Sequence, residues 1–85
     1  MLVPLYGFLA GDTLGVLVLV HDTDRVRDIA MQLQQAAAMR VAPRDGALVY
    51  ARGVRLDPND TVHGAGLTAL DRVDVKFEPR GEDPR

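Results

Sequence analysis

The sequence predicts an α+β domain in which one amphipathic helix covers one face of a mixed, four- to five-stranded β-sheet. Two apolar runs separated by a short Gly/Asp segment open the chain and predict a β-hairpin. Apolar residues at three- and four-residue spacing then predict a helix, and strict alternation near the end predicts a half-buried strand. With 85 residues and a 47% hydrophobic composition, the chain can form one compact core but not two.

The first two strands are predicted at residues 2–9 and 14–20. Both runs are dense in Val and Leu, and apolar and β-branched residues of this kind favour strands. Gly11 and Asp12 lie in the connection between them, where turn residues are needed to reverse the chain.

The main helix is predicted at about residues 23–40. Its apolar positions share one face, and they are Val26, Ile29, Ala30, Leu33 and Ala37. Asp22 and Asp24 precede this pattern, so we expect their carboxylates to cap the unpaired amides of the first turn. Pro43 forces Ala42 out of helical geometry and therefore ends the helix.

Two short strands are predicted after the helix, at residues 47–52 and 54–56. Gly53 separates them because glycine weakens a strand interior. Residues 57–60, which read Asp-Pro-Asn-Asp, are predicted to form a turn.

The last part of the domain is predicted to contain a loop and a long strand. Residues 61–70 are expected to form a compact loop or a single helical turn, because Gly64 and Gly66 disfavour a longer helix. Residues 72–78 alternate between apolar and charged side chains, which predicts the final strand. Residues 79–85 are polar and contain two prolines, which predicts a flexible C-terminal tail.

The order hairpin, helix, two short strands, loop and long strand is that of the ubiquitin-like β-grasp fold. In this arrangement the first and last strands lie parallel at the centre of the sheet, and the helix packs on one face. A ferredoxin-like fold would need a second helix, which the glycines of residues 61–70 disfavour. We therefore expect a single ubiquitin-like domain at residues 1–78.

The composition disfavours several classes of function. The chain has no cysteine, so it cannot contain disulfides, thiolate metal sites or thiol nucleophiles. Lys and Arg number 10 against 12 Asp and Glu, so no net basic field predicts binding to nucleic acid or to a membrane surface. The longest apolar run, residues 16–20, is far shorter than the roughly 20 residues that span a bilayer. No basic residue precedes Arg25, as a signal peptide would require, so we expect a cytoplasmic location.

The sequence has no recognisable catalytic, cofactor-binding or metal-binding constellation. His21 and His63 lie in separate predicted loops without ligand spacing, so we interpret them as surface polar residues. Residues 57–60 have the composition of a calcium loop, but Pro58 and the missing bidentate Glu argue against one. The glycines of residues 64–66 precede no Lys-Ser/Thr pair, which argues against a phosphate loop. We therefore predict that the chain itself carries no catalytic residues.

The first hairpin carries more apolar residues than one helix can cover. Apolar side chains occupy both parities of its two strands, so both faces of this part of the sheet should be apolar. Loops of the same chain can bury such a surplus, but we favour a partner protein, since soluble proteins avoid large exposed apolar patches. The candidate interface residues in the hairpin are Tyr6, Phe8, Leu17 and Leu19.

Four segments follow the helix in a fixed order: residues 41–46 (VAPRDG), 56–58 (LDP), 66–67 (GL) and 73–78 (VDVKFE). In this order they resemble the small B-protein (gamma) subunit of the toluene and alkene monooxygenase hydroxylases, the TmoB-like family, which includes aromatic, alkene and isoprene branches. The resemblance covers nearly the whole chain, from about residue 4 to residue 78.

This resemblance implies a non-catalytic structural subunit of a soluble, multicomponent diiron monooxygenase that oxygenates aromatic hydrocarbons or alkenes. It implies that the diiron centre lies in a large (alpha) subunit, on which this subunit docks, and that the hydroxylase contains a second (beta) subunit. Electrons would come from NADH through other components. Pro43 and Arg44 then become further interface candidates. Arg44 could contact a partner or fix the loop, or it could be solvated beside a turn shaped by Pro43 and Gly46.

A free-standing ubiquitin-like modifier or sulfur carrier is the alternative with the same fold. Such proteins act through a C-terminal Gly-Gly pair. The present sequence ends in Glu82-Asp83-Pro84-Arg85, and Gly81 is the only glycine nearby. We therefore expect the hydroxylase subunit rather than the modifier.

Overall fold

A computed structural model describes residues 1–77 of the chain. Its elements are β1 (Leu2–Leu9), β2 (Gly15–His21), α1 (Val26–Ala36), β3 (Ala47–Ala51), β4 (Val54–Arg55) and β5 (Arg72–Phe77). The five strands form one sheet in the order β2-β1-β5-β3-β4. β1 and β5 are parallel at its centre, and the other neighbours are antiparallel. The predicted mixed sheet with one helix is therefore confirmed, whereas residue 78 and the predicted tail at 79–85 lie outside the described residues.

The hydrophobic core lies between α1 and one face of the sheet. Every second residue of the long strands points into it, as the alternation predicts. The strands contribute Val3, Leu5, Leu9, Val18, Val20, Val49, Ala51, Val73 and Val75, and the helical segment contributes Val26, Ile29, Ala30, Leu33 and Ala37. No polar or charged residue among residues 1–77 is buried. Each large apolar side chain buried in this way stabilises the fold by about 1.5–3 kcal/mol.

α1 begins later than the predicted range of 23–40, because the residues before it form a turn. The Asp24 carboxylate accepts a hydrogen bond at 2.8 Å from the last amide of β2 rather than from the helix. The helix is capped by Asp28, which lies in its first turn and accepts a hydrogen bond from the Arg25 amide at 2.9 Å. The prediction that Asp22 and Asp24 cap the helix is therefore wrong.

α1 also ends earlier than predicted, at Ala36. The Ala37 amide still donates to the Leu33 carbonyl oxygen four residues back, but the Ala38 amide donates to the Gln35 carbonyl oxygen, three residues back, at 3.3 Å. The regular ladder of helical hydrogen bonds therefore stops there. At 11 residues, α1 is a short helix, and no helix within residues 1–77 is long and apolar enough to cross a membrane.

Candidate docking surface

We call the sheet face opposite α1 the open face. It consists of the strand residues that alternate with the core residues. They are Leu2, Pro4, Tyr6 and Phe8 of β1, Gly15, Leu17, Leu19 and His21 of β2, Leu48 and Tyr50 of β3, Arg55 of β4, and Arg72, Asp74 and Lys76 of β5.

The part of the open face formed by β1 and β2 is apolar. We call Leu2, Pro4, Tyr6, Phe8, Leu17 and Leu19 the apolar half. In the strand register Tyr6 lies opposite Leu17, and Pro4 lies opposite Leu19, so these side chains adjoin one another. Leu17 and Leu19 are each 53% exposed, and Tyr6 is 47% exposed. The structure thus brings four predicted interface residues, Tyr6, Phe8, Leu17 and Leu19, onto one surface.

Phe8 differs from its neighbours because other residues of the chain cover part of its ring. The Arg72 guanidinium lies 4.2 Å from the ring centroid, a cation–π contact. Gly15 lies against the ring edge, where a Cβ atom would be only 2.7 Å from the Phe8 Cζ atom. Phe8 is therefore half-buried at the margin of the apolar half, and Leu2, Tyr6, Leu17 and Leu19 form its exposed part.

The part of the open face formed by β3, β4 and β5 carries charge. We call Tyr50, Arg55, Arg72, Asp74 and Lys76 the basic half. Arg72 forms an ion pair with Asp74 at 3.1 Å, and the Lys76 Nζ atom lies 5.0 Å from the centroid of the Tyr50 ring. The sequence predicts the last strand as half-buried and assigns no function to its charged side chains. Because β5 adjoins β1, its charged side chains lie on the same face as the apolar half. The β-grasp order of the strands could have indicated this.

Pro43 and Arg44 lie on the other side of the molecule. Their loop is attached to α1 by Gln34, whose side-chain amide donates to the Arg44 carbonyl oxygen at 3.1 Å and accepts from the Arg44 amide at 2.7 Å. The Arg44 guanidinium lies 4.5 Å from the centroid of the Phe77 ring, which packs against the core. A groove of about 450 Å³ lies between this loop and α1. The six predicted interface residues therefore fall on two separate surfaces.

Within residues 1–77, no group of three or more His, Cys, Asp or Glu residues could hold a metal ion. His21 and His63 are both exposed. The hydrogen bond from the Thr68 amide lowers the pKa of Asp71 below its ordinary value, and the side-chain hydrogen bond from Arg40 lowers that of Asp12. Both carboxylates hold turns in place.

Comparisons with known proteins point to one family. The family model described as Toluene-4-monooxygenase system protein B (TmoB) matches residues 2–77. A chain in the solved structure of the toluene 4-monooxygenase HD complex with the inhibitor 4-bromobenzoate is 27% identical, with a TM-score of 0.84, and the match covers 92% of this chain and 100% of that chain.

Other solved structures share the fold at lower identity. Ubiquitin from Caldiarchaeum subterraneum is 17% identical with a TM-score of 0.73, and the match covers 95% of this chain and 99% of that one. A designed protein based on ubiquitin is 14% identical with a TM-score of 0.79, and the match covers 98% and 96% of the two chains. These likenesses show a ubiquitin-like β-grasp fold and nothing about function. No curated protein matches the sequence.

Proposed function

Because the chain belongs to the toluene-4-monooxygenase system protein B (TmoB) family, we propose that it is a non-catalytic structural subunit of the hydroxylase component of a multicomponent diiron monooxygenase. The observation that carries this function is the family match over residues 2–77. It agrees with the likeness to a complete chain of the toluene 4-monooxygenase HD complex. The family predicted from the order of segments in the sequence is thereby confirmed.

The partners follow from this role. The chain assembles with hydroxylase subunits, and we assign the large diiron (alpha) subunit as the one on which it docks, beside a second (beta) subunit. Diiron centres in helical bundles use Glu and Glu-x-x-His ligands, whereas α1 contains neither Glu nor His. Within residues 1–77 no group of three or more His, Cys, Asp or Glu residues could hold a metal ion. We assign the diiron centre to the alpha subunit because of the family to which this chain belongs. We place the complex in the cytoplasm, where NADH is available to it.

The apolar half is the docking surface that we propose for the alpha subunit. Tyr6, Leu17 and Leu19 adjoin one another and remain about half exposed, so a partner can still remove much of their apolar area from water. Such burial contributes about 25 cal/mol per Å² before the entropic cost of association. Phe8 borders this contact.

Pro43 and Arg44 cannot belong to the same contact, because they lie beside α1 on the other side of the domain. We propose that they form a separate, smaller contact with the hydroxylase. The Arg44 guanidinium lies 4.5 Å from the Phe77 ring centroid while the residue stays exposed, so it can also bind a carboxylate of the hydroxylase.

The alternative role as a modifier or sulfur carrier rests on the fold alone. The ubiquitin matches are below 20% identity, and proteins with this fold have many unrelated functions. No observation in the described residues favours this alternative.

Co-expression with the alpha and beta subunits of the same organism tests the proposed function. We expect native mass spectrometry of the purified hydroxylase to show an assembly that contains the 9.3 kDa chain. Collisional activation of this assembly in the gas phase should release the 9.3 kDa chain. The iron content per alpha subunit should be the same with and without the small chain. A small chain that remains separate from both subunits at micromolar concentration would contradict the proposal.

A further inference from the structure

We propose that the basic half of the open face binds carboxylates of the hydroxylase subunit that covers the apolar half, and that these charges determine how fast and in which orientation the two proteins associate. This inference rests on the proposed function and names the chemistry of the partner surface, which is an apolar patch with acidic residues along one side.

The first argument is the distribution of charge. The whole chain has a formal net charge of −2, yet within the described residues 1–77 the open face presents Arg55, Arg72 and Lys76 against one carboxylate, that of Asp74. Asp74 is occupied by its ion pair with Arg72. Within residues 1–77, Arg55 and Lys76 have no ion-pair partner. An acidic protein therefore has a local positive field on the same face as its exposed apolar side chains.

The second argument is the arrangement of these two cations around one aromatic ring. Lys76 lies over the Tyr50 ring, and Arg55 lies directly opposite Tyr50 on the neighbouring strand. Tyr50 is half-buried, so its ring restricts the Lys76 stem while the ammonium group remains exposed. A cation that is already held in place loses less side-chain entropy when it binds a carboxylate.

The third argument is the geometry of the sheet. Neighbouring strands are about 4.8 Å apart, β5 adjoins β1, and β4 lies two strands beyond β5. Lys76 is therefore about 5 Å, and Arg55 about 15 Å, to one side of β1. The partner surface must place its carboxylates on that side of the apolar contact. A rotation of the partner by half a turn would move them to the β2 side, away from both cations.

These features favour a protein partner over nucleic acid. The basic half adjoins an exposed surface of leucine and tyrosine side chains, which a phosphate backbone cannot cover. A second copy of the chain also fits poorly, because Asp74, already paired with Arg72, is the one carboxylate that residues 1–77 place on the open face.

Association kinetics of charge-reversal variants test this inference. Lys76→Glu and Arg55→Glu each change the net charge by the same amount as Arg25→Glu, a matched control at the exposed N-terminal end of α1 that lies outside both proposed contacts. The association rate constant would be measured for full-length chains binding to the purified alpha–beta hydroxylase at several salt concentrations. We expect both open-face variants to associate about tenfold more slowly at low salt, and the control to change less than twofold. The wild-type rate should fall with added salt more steeply than the rates of the two variants.

The two open-face sites and the control make the result decisive. Arg55 lies on the exposed edge strand β4, so its variant keeps the test valid if Lys76→Glu reduces the thermal midpoint. Equal slowing of all three variants would show an effect of net charge alone and would overturn the inference, and so would unchanged rates. In both cases wild-type binding would leave the proposed function intact. No wild-type binding, or a homodimer seated on the open face instead, would overturn both.

Discussion

At the scale of single residues, Gly7 determines how closely the helix approaches the sheet. It lies on β1 among residues that face the core, and a Cβ atom at this position would be 2.9 Å from the Leu33 Cδ1 atom of α1. The alternation of Val3, Leu5 and Leu9 predicts from the sequence that this parity is buried. It cannot reveal that Gly7 makes room for Leu33, because that requires the distance between two elements.

We expect Gly7→Ala to lower the free energy of unfolding by about 1–3 kcal/mol, because the added methyl group overpacks the contact with Leu33. Urea denaturation measures this change. In a Leu33→Ala background the same substitution should cost clearly less, since the crowded side chain is gone. Equal costs in the two backgrounds would show that Gly7 is required for another reason.

At the scale of elements, an ion pair connects the β1–β2 turn to the end of the helical segment. Arg40 donates hydrogen bonds from Nε and Nη2 to both carboxylate oxygens of Asp12, at 2.8 to 3.1 Å, and the Asp12 side chain is almost completely covered. The sequence places Asp12 in a turn. It does not predict the partner, because Arg40 is 28 residues away and the pair depends on how the hairpin meets the helix.

This contact predicts a pH dependence of stability. The hydrogen bond from Arg40 lowers the pKa of Asp12 in the folded chain, so the ionised carboxylate stabilises the fold above the pKa of an unfolded aspartate, about 4. This contribution is lost as the pH falls through the lowered folded-state pKa. Asp12→Asn should therefore be less stable than the wild type at pH 7, with the difference shrinking under acidic conditions.

Urea denaturation between pH 7 and pH 3 checks this dependence. Arg40→Gln is the matching change on the other partner, and it should lose the same pH-dependent component. A difference between wild type and Asp12→Asn that stays constant over the whole pH range would contradict the assignment.

Also at this scale, the sequence predicts where the elements are better than where they end. All five described strands agree with the predicted ranges to within one residue, because alternation is a local property of the chain. The helix is shorter because its first predicted residues are held by Asp24 in a turn against β2, a contact between elements. The loop with Arg44 is held by Gln34, which the sequence showed only as a polar helix position.

At the scale of the whole molecule, the open face is the feature that connects the fold to its function. Apolar side chains on both faces of the first hairpin predicted a surface that the helix does not cover. The structure exposes Leu17 and Leu19 on this surface. Pro43 and Arg44 lie elsewhere because the position of a loop around the sheet is set by packing rather than by local sequence. The basic half was missed although the β-grasp order places β5 beside β1, because the register of β3 and β4 decides which of their side chains share this face.

The central claim is that the apolar half docks on the hydroxylase, and a pair of matched variants tests it most directly. Leu17 is 53% exposed and lies opposite Tyr6 on the open face, whereas Met39 is 98% exposed, follows α1 and lies outside both proposed contacts. Replacement by Asp should cost each less than about 1 kcal/mol of folding stability. The measurement is the dissociation constant for the alpha–beta hydroxylase. We predict that Leu17→Asp weakens binding at least about tenfold, which corresponds to about 1.4 kcal/mol, while Met39→Asp binds like the wild type. Equal binding by the two variants, or a loss confined to Met39→Asp, would contradict the account.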